Sequence, residues 1–463
     1  MTTAIISSTD ADVLDSRFAA AVRPLAAVTG AEIQAPLIQG GHVRYANLDY
    51  GASAPALSVV SAYLNEILPF YASVHRGAGY ASQISTSVYE NSRTIVREFV
   101  GGRPDDSVIF TRNTTDSLNL LAGCLPSWGD VVFLDAEHHA NLLPWQRGPH
   151  RCVPVRPSLE ATLQALEETL AERPAALLAV TGASNVTGEE LPVERLAQLA
   201  HRYGARIVVD AAQLAPHRRI DLDASGVDYV AFSGHKLYAP FGTGALVGRR
   251  DWLDRGRPYL AGGGAVQRVD VDGTEWACAP QRHEGGTPNV LGAVALAAAC
   301  DAVAELPDAA LEVHEAALRE RLVHGLQGLP GVTVHRIFDD APASIGVVTF
   351  TVDGVDAGLV AAYLSAEHGI GVRDGKFCAH PLLARLGLGA GAVRASVGVG
   401  SRTDDVDRLV AAVAALVEHG PGWRYARTDG RWAPTPDPRP FPDWTGDVSV
   451  GASPCARDLP DLP

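Results

Sequence analysis

With 463 residues, 47% hydrophobic and 20% charged, the chain has a globular balance and is long enough for more than one hydrophobic core. Its net charge of −15 repels phosphate backbones and argues against a nucleic-acid partner. The opening MTTAIISSTDADVLDSRF lacks the basic end and apolar run of a signal peptide, no stretch is long and apolar enough to span a bilayer, and the six scattered cysteines show no metal-ligand spacing, so a cytoplasmic chain without membrane or metal is expected.

Along the chain, SVIFTR, DVVFLDAEH, AALLAVTGAS, ARIVVDAAQ and DYVAFSGHK each read as a buried strand: rich in Val, Ile, Leu and Phe, without polar alternation, and ending abruptly in polar residues. TDSLNLLAGCL, LEATLQALEETLAER and VERLAQLAHRYG read as helices between them. Such alternation predicts an α/β fold with a mostly parallel sheet covered by helices on both faces. Further on, SIGVVTFTVDG and VRASVGVG read as strands and SRTDDVDRLVAAVAALVEH as an amphipathic helix with Thr403 as N-cap, which together make a small α+β domain. From about residue 420, proline density forbids helix or central strand, while Trp423, Trp432 and Trp444 call for a surface to cover. An extended arm lying on the body or on a partner subunit is expected.

In sheets of this kind ligands bind at the carboxyl ends of the strands. Those ends carry Asn113-Thr114-Thr115-Asp116, His138-His139, Asn185, Asp210 with Gln213, and Ser233 with His235 and Lys236. Taken singly, Lys236 reads as a surface lysine, Asp210 as a turn former, Thr114 or Thr115 as a helix cap and His138 as a loop histidine. Taken together they fit pyridoxal phosphate. The cofactor's aldehyde needs an amine, its ring nitrogen an acid, and its phosphate a helix N-terminus. A nicotinamide-type domain fits poorly, because Gly242-Thr-Gly244-Ala-Leu-Val-Gly248 has the wrong spacing and leads into a strand.

At this point NLDYGASAP, SVHRGAGYAS, TRNTTDSLNLLA, EHHANLLPWQ, SNVTGEELPV, VDAAQ, FSGHKLYAPFGTG, EGGTPN, VRDGKFCAHPL and VRASVGVG, spread over residues 47 to 415, make a specific set. The chain resembles fold-type I, class V pyridoxal phosphate enzymes, closest to group II cysteine desulfurases and selenocysteine lyases. That resemblance implies a mostly parallel, seven-stranded-type sheet in a large domain at 47–300 and a small domain at 301–420. An extension at 1–46 would pack with the small domain, and a Pro/Trp-rich tail occupies 421–463. It implies Lys236 as the Schiff-base lysine, His138 on the ring face, Asp210 at the ring nitrogen, and Gln213 and Asn185 near its hydroxyl. Thr114, Thr115, Ser233 and His235 would hold the phosphate. Thr287 would reach the neighbouring subunit's phosphate in a homodimer, and Arg394, with Asn185 and Arg373 beside it, would bind the carboxylate of an amino-acid substrate.

Cys378 falls at the sulfur-accepting cysteine of that family, where a thiolate would take sulfur from L-cysteine, leave alanine, and pass the persulfide to an acceptor protein. Arg373, Lys376 and His380 supply positive or polar neighbours. The family's loop carries two histidines where this chain has Lys376 and Phe377. The altered loop also fits a pyridoxal phosphate enzyme working on another amino acid by epimerisation, transamination, C–S lysis or carbon–carbon bond formation. A non-catalytic scaffold of the same fold is the third reading.

Overall fold

The computed structural model describes residues 21–307, 309–428 and 430–445. Its centre is a seven-stranded sheet built from β1 (Ser107–Thr111), β2 (Asp130–Leu134), β3 (His150–Val153), β4 (Ala175–Thr181), β5 (Arg206–Asp210), β6 (Tyr229–Ser233) and β7 (Gly244–Gly248), in the order β1-β7-β6-β5-β4-β2-β3. Strands β2 to β6 pair in parallel, and β7 alone runs antiparallel to its neighbours β1 and β6. The sheet is therefore mixed but mostly parallel.

Both faces are covered, which explains the unbroken apolar runs. Along β4 the side chains alternate between two cores, with Leu178 and Val180 in one and Leu177 and Ala179 in the other. Each such buried Leu or Val side chain contributes roughly 1.5–3 kcal/mol. The covering helices include α1 (Tyr80–Phe99), α2 (Thr114–Ala122), α3 (Leu159–Glu172), α4 (Val193–Arg202) and α5 (Val290–Ala304). Their starts are chemically marked. Ser158 Oγ accepts from Ala161 N–H at 3.1 Å ahead of α3, and Asn113 Oδ1 accepts from Asp116 N–H at 3.0 Å ahead of α2. Asn113, rather than Thr114 or Thr115, is thus the cap of α2, which leaves both threonines free for other partners.

Helix α6 (Ala310–Gln327) leads into a four-stranded antiparallel sheet of β8 (Val332–Val334), β9 (Val347–Val352), β10 (Arg373–Gly375) and β11 (Ala392–Ser396), ordered β8-β9-β11-β10. Helices α6, α7 (Ala357–His368) and α8 (Thr403–His419) close over it around Phe350, Leu364 and Leu409. Thr403 does not cap α8. Asp405 Oδ2 accepts from the Arg402 N–H at 3.1 Å, while Thr403 Oγ1 accepts from Val22 N–H at 2.6 Å, so the threonine ties the incoming chain to the helix start.

Residues 21–46 run along both bodies. Ile38 N–H donates to Ala366 O at 2.8 Å beside α7, whereas Thr29 N–H donates to Ala56 O at 2.8 Å on the large body. Residues 1–20 of the expected extension lie outside the described residues. The tail folds back as a hairpin of β12 (Tyr425–Thr428) and β13 (Arg431–Pro434) on α7. Glu367 anchors it, accepting from Gly422 N–H at 3.0 Å, Trp423 N–H at 3.2 Å and Tyr425 Oη at 2.9 Å. Trp432 lies beside Gly358 of α7, while Trp444 stays 86% exposed. Instead of a plain extended arm, the proline-rich segment forms a two-stranded ribbon, in which no proline occupies a central strand.

Candidate active site

At the carboxyl ends of the central strands a cavity of about 330 Å³ opens between the two bodies. Its wall contains Thr114, Thr115, His138, Asn185, Asp210, Gln213, Ser233, His235, Lys236, Arg373, Cys378 and Arg394. Thr287 is the exception. It is exposed on the loop after Glu284 and does not line the cavity of its own chain. A larger hollow of about 500 Å³ beside α1 and α5 offers Asp301 and Glu305 but no amine, thiol or imidazole. The chemistry lies in the smaller one.

Topology brings these residues together. Strands β5 and β6 are hydrogen-bonded neighbours, so Asp210 at the end of one and Ser233 at the end of the other stand side by side, with Lys236 just beyond. The turn that carries the lysine needs two close approaches. A Cβ on Gly234 would fall 2.8 Å from Thr243 O, and one on Gly244 would fall 2.6 Å from Phe232 O. Only glycine lets the strand ends draw in this far. Burial pulls the Lys236 pKa down to about 8, partly opposed by the Asp210 carboxylate, so its amine is far more available as a neutral nucleophile than an ordinary lysine.

Asp210 is 3% exposed, and its Oδ1 accepts from the Ala212 N–H at 3.0 Å. Burial pushes its carboxyl pKa up, and Lys236 opposes that shift. A buried carboxylate with one backbone donor is incomplete and suits a further cationic or N–H partner. His138 Nδ1 accepts from the Ala140 N–H at 3.0 Å, which orients the ring, and burial with the nearby Lys236 takes its pKa down to about 3. The imidazole is therefore neutral at neutral pH, a flat apolar face that suits packing on an aromatic ring.

Around the start of α2, Ser233 Oγ accepts from Thr114 N–H at 2.8 Å and lies 2.7 Å from Thr114 Oγ1. Thr115 is exposed at the mouth, and His235 Nδ1 lies 2.9 Å from Ser53 Oγ. Hydroxyls, an imidazole and the positive end of a helix converge there, the donor set that a phosphate monoester needs. Gln213 Nε2 donates to Gly51 O at 2.8 Å, and Asn185 Nδ2 to Phe377 O at 2.8 Å. An amine, a buried carboxylate, a neutral ring and an anion cradle in one cavity fit pyridoxal phosphate.

On the opposite wall, Arg394 is 3% exposed, and burial lowers its pKa. Its Nη1 donates to Asn185 O at 2.9 Å and its Nη2 pairs with Asp49 Oδ1 at 3.1 Å, while Nε is buried without a partner. Its guanidinium lies 5.5 Å from the centroid of the Phe377 ring. Arg373 sits opposite Arg394 in the β10–β11 register and is exposed at the rim. Between them runs the Cys378 loop, where Phe377 (φ 51°) and Cys378 (φ 53°) both adopt the left-handed conformation. For side chains of this kind that costs on the order of 1–2 kcal/mol per residue.

Several contributors escaped the sequence reading. Asp49, Gly51 and Ser53 come from the NLDYGASAP segment, whose pattern was visible but whose individual roles were not. A Cβ on Gly51 would lie 3.3 Å from Arg394 Cζ, so the glycine leaves room for the guanidinium. Phe377 gave no signal, because a single aromatic in a loop reads as packing.

Comparison with known proteins addresses family and fold. The aminotransferase class-V family model matches residues 46–409. A probable cysteine desulfurase of Vibrio cholerae serotype O1 is 36% identical over 358 residues, covering 75% of this chain and 87% of that protein. Probable cysteine desulfurase 2 of Mycobacterium leprae is 37% identical over 407 residues, covering 82% of this chain and 94% of that protein. Among solved structures, the cysteine desulfurase CsdA of Escherichia coli matches with a TM-score of 0.73 at 33% identity, and the apo cysteine desulfurase of Thermococcus onnurineus NA1 with 0.74 at 35%. Each alignment covers 81% of this chain and 95% of the other.

Proposed function

The chain belongs to the aminotransferase class-V family, and from that premise we propose that it is a pyridoxal phosphate-dependent cysteine desulfurase that converts L-cysteine to L-alanine and takes the sulfur onto Cys378. The observation that carries the reading is one cavity holding Lys236, Asp210, Arg394 and Cys378. When bound, pyridoxal phosphate supplies an electron-withdrawing ring that weakens bonds around the substrate's Cα.

This chain's residues supply the rest. Lys236 holds the cofactor through its amine and moves the proton at the substrate Cα. With the cofactor bound, Asp210 would offer its carboxylate to the ring nitrogen and His138 would cover the ring with a neutral imidazole. Thr114, Thr115, Ser233, His235 and the start of α2 would hold the phosphate, and Gln213 and Asn185 would flank the ring. Arg394 binds the substrate carboxylate with a planar guanidinium, and Arg373 adds positive charge at the rim. That clamp turns the substrate's sulfur toward the thiol.

In the transfer itself, the Cys378 thiolate forms an S–S bond to the substrate sulfur as the substrate's Cβ–S bond breaks. The carbon fragment keeps the electron pair of the broken bond, gains a proton and leaves as alanine. A reductant or an acceptor protein then removes the persulfide sulfur. Thr287 is exposed and does not line its own cavity, and we assign it to the phosphate of a second subunit in a homodimer.

Incubation with L-cysteine and a reductant is expected to give equal amounts of sulfide and alanine. If Cys378→Ala keeps full sulfide release, the persulfide route is wrong.

A further inference from the structure

The strained pair Phe377-Cys378 is held at both carbonyls. Phe377 O accepts from Asn185 Nδ2 at 2.8 Å, and Cys378 O accepts from the His139 N–H at 2.9 Å. One step further, the backbone N–H of His380 donates to His139 Nε2 at 3.4 Å, and the two rings meet edge to face with centroids 4.6 Å apart at 86°. Because Nε2 accepts, the ring is the neutral tautomer with its proton on Nδ1. His139 thus grips the loop at two points just after the thiol-bearing carbon, by its backbone at the Cys378 carbonyl and by its side chain at the His380 N–H. It also follows His138 directly: His138 caps the turn His139–Asn141 that His139 opens, so the residue proposed to cover the cofactor ring and the residue gripping the nucleophile loop are adjacent in one short segment.

We propose that His139 is a positioning residue for sulfur transfer: its side chain, acting through His380, keeps the left-handed turn at Phe377-Cys378 closed, so that the thiol stays turned to the cavity. This rests on the reading of Cys378 as the sulfur acceptor. A left-handed turn without glycine relaxes once its neighbours let go. Removing the imidazole leaves the His380 N–H without its acceptor and takes away the ring face packed against His380. The loop then samples outward conformations, in which Cys378 meets solvent more often and the substrate less often.

The test uses the full-length, cofactor-loaded protein and two rates that a loosened loop moves in opposite directions. One is the single-turnover formation of persulfide on Cys378 at saturating L-cysteine, read by mass spectrometry. The other is the labelling of Cys378 by iodoacetamide without substrate. In His139→Ala the first is expected to fall about fivefold and the second to rise by a similar factor, with the KM for L-cysteine unchanged. His139→Gln, whose side-chain oxygen can take the place of Nε2, is expected to restore both. The buried Cys124 and Cys300 serve as internal controls and are expected to label no faster.

Unchanged rates in His139→Ala would overturn the proposal, as would failure of Gln to rescue. Faster labelling of Cys124 and Cys300 in step with Cys378 would also overturn it, because that marks general loosening. If wild-type protein formed no persulfide at all, the functional reading would fall, while the labelling rates, which need no turnover, would still decide the clamp.

Discussion

Arg394→Lys tests the assignment of the substrate's carboxylate. Lysine keeps the positive charge beside Asp49, whose Oδ1 lies 3.1 Å from the guanidinium, so the buried ion pair survives in outline. What disappears is the planar fork: the Nη1 donor at 2.9 Å from Asn185 O and the spare donor capacity represented by the orphaned Nε. Losing one hydrogen bond between a guanidinium and a carboxylate costs about 1.5–3 kcal/mol. At 1.36 kcal/mol per tenfold, that is a drop of roughly 10- to 150-fold in kcat/KM for L-cysteine. The assay is initial-rate sulfide release with L-cysteine and, in parallel, with cysteamine, which has the thiol and amine but no carboxylate. The deficit is expected with L-cysteine and absent with cysteamine, and a melting curve checks the fold. A kcat/KM within threefold of wild type on L-cysteine, or an equal loss on both compounds, would refute the carboxylate role.

Four further outcomes follow from the structure. The Lys236 pKa of about 8 lies below the ordinary 10.5, so the protonated form is the one disfavoured in the fold. Uptake of pyridoxal phosphate by apoprotein, followed by absorbance, should therefore accelerate with pH and level off just above 8, and a plateau only beyond 10 would contradict the burial argument. Ser158→Ala removes the α3 cap far from the cavity and should lower stability by about 1 kcal/mol in urea titrations without changing kcat. Phe350→Ala, fully buried in the smaller core, should cost about 3–5 kcal/mol by the same measurement. Glu367→Ala removes the acceptor shared by Gly422, Trp423 and Tyr425, so limited proteolysis should cut between residues 421 and 436 faster than in wild type. An unchanged cleavage rate would show that the hairpin is held by other contacts.

Much of the candidate site was legible because a parallel sheet makes local sequence predictive of place. A strand buried on both faces must be continuously apolar, as Ala175–Thr181 is, and its carboxyl end must point to the ligand edge. Asp210, Ser233 and Lys236 could thus be placed at the same edge of the sheet from their positions in the chain, and the pairing of β5 with β6 set them side by side. The edge strand His150–Val153 was not legible, since it pairs on one side only and tolerates His and Arg. The N-cap of α8 was misplaced by one turn chemistry among several, because Thr403 serves the distant Val22 instead.

The amino-acid sequence by itself determined five strands of the sheet and the residue types gathered at their carboxyl ends, since hydrophobic period and turn residues act over short distances. Only the tertiary structure decided which of those groups touch: Asp49 against Arg394, Gly51 under its guanidinium, the ring of His139 against His380, and Thr287 outside its own cavity. These contacts join segments hundreds of residues apart. Their geometry depends on how two bodies close on each other, and no local pattern encodes that closure.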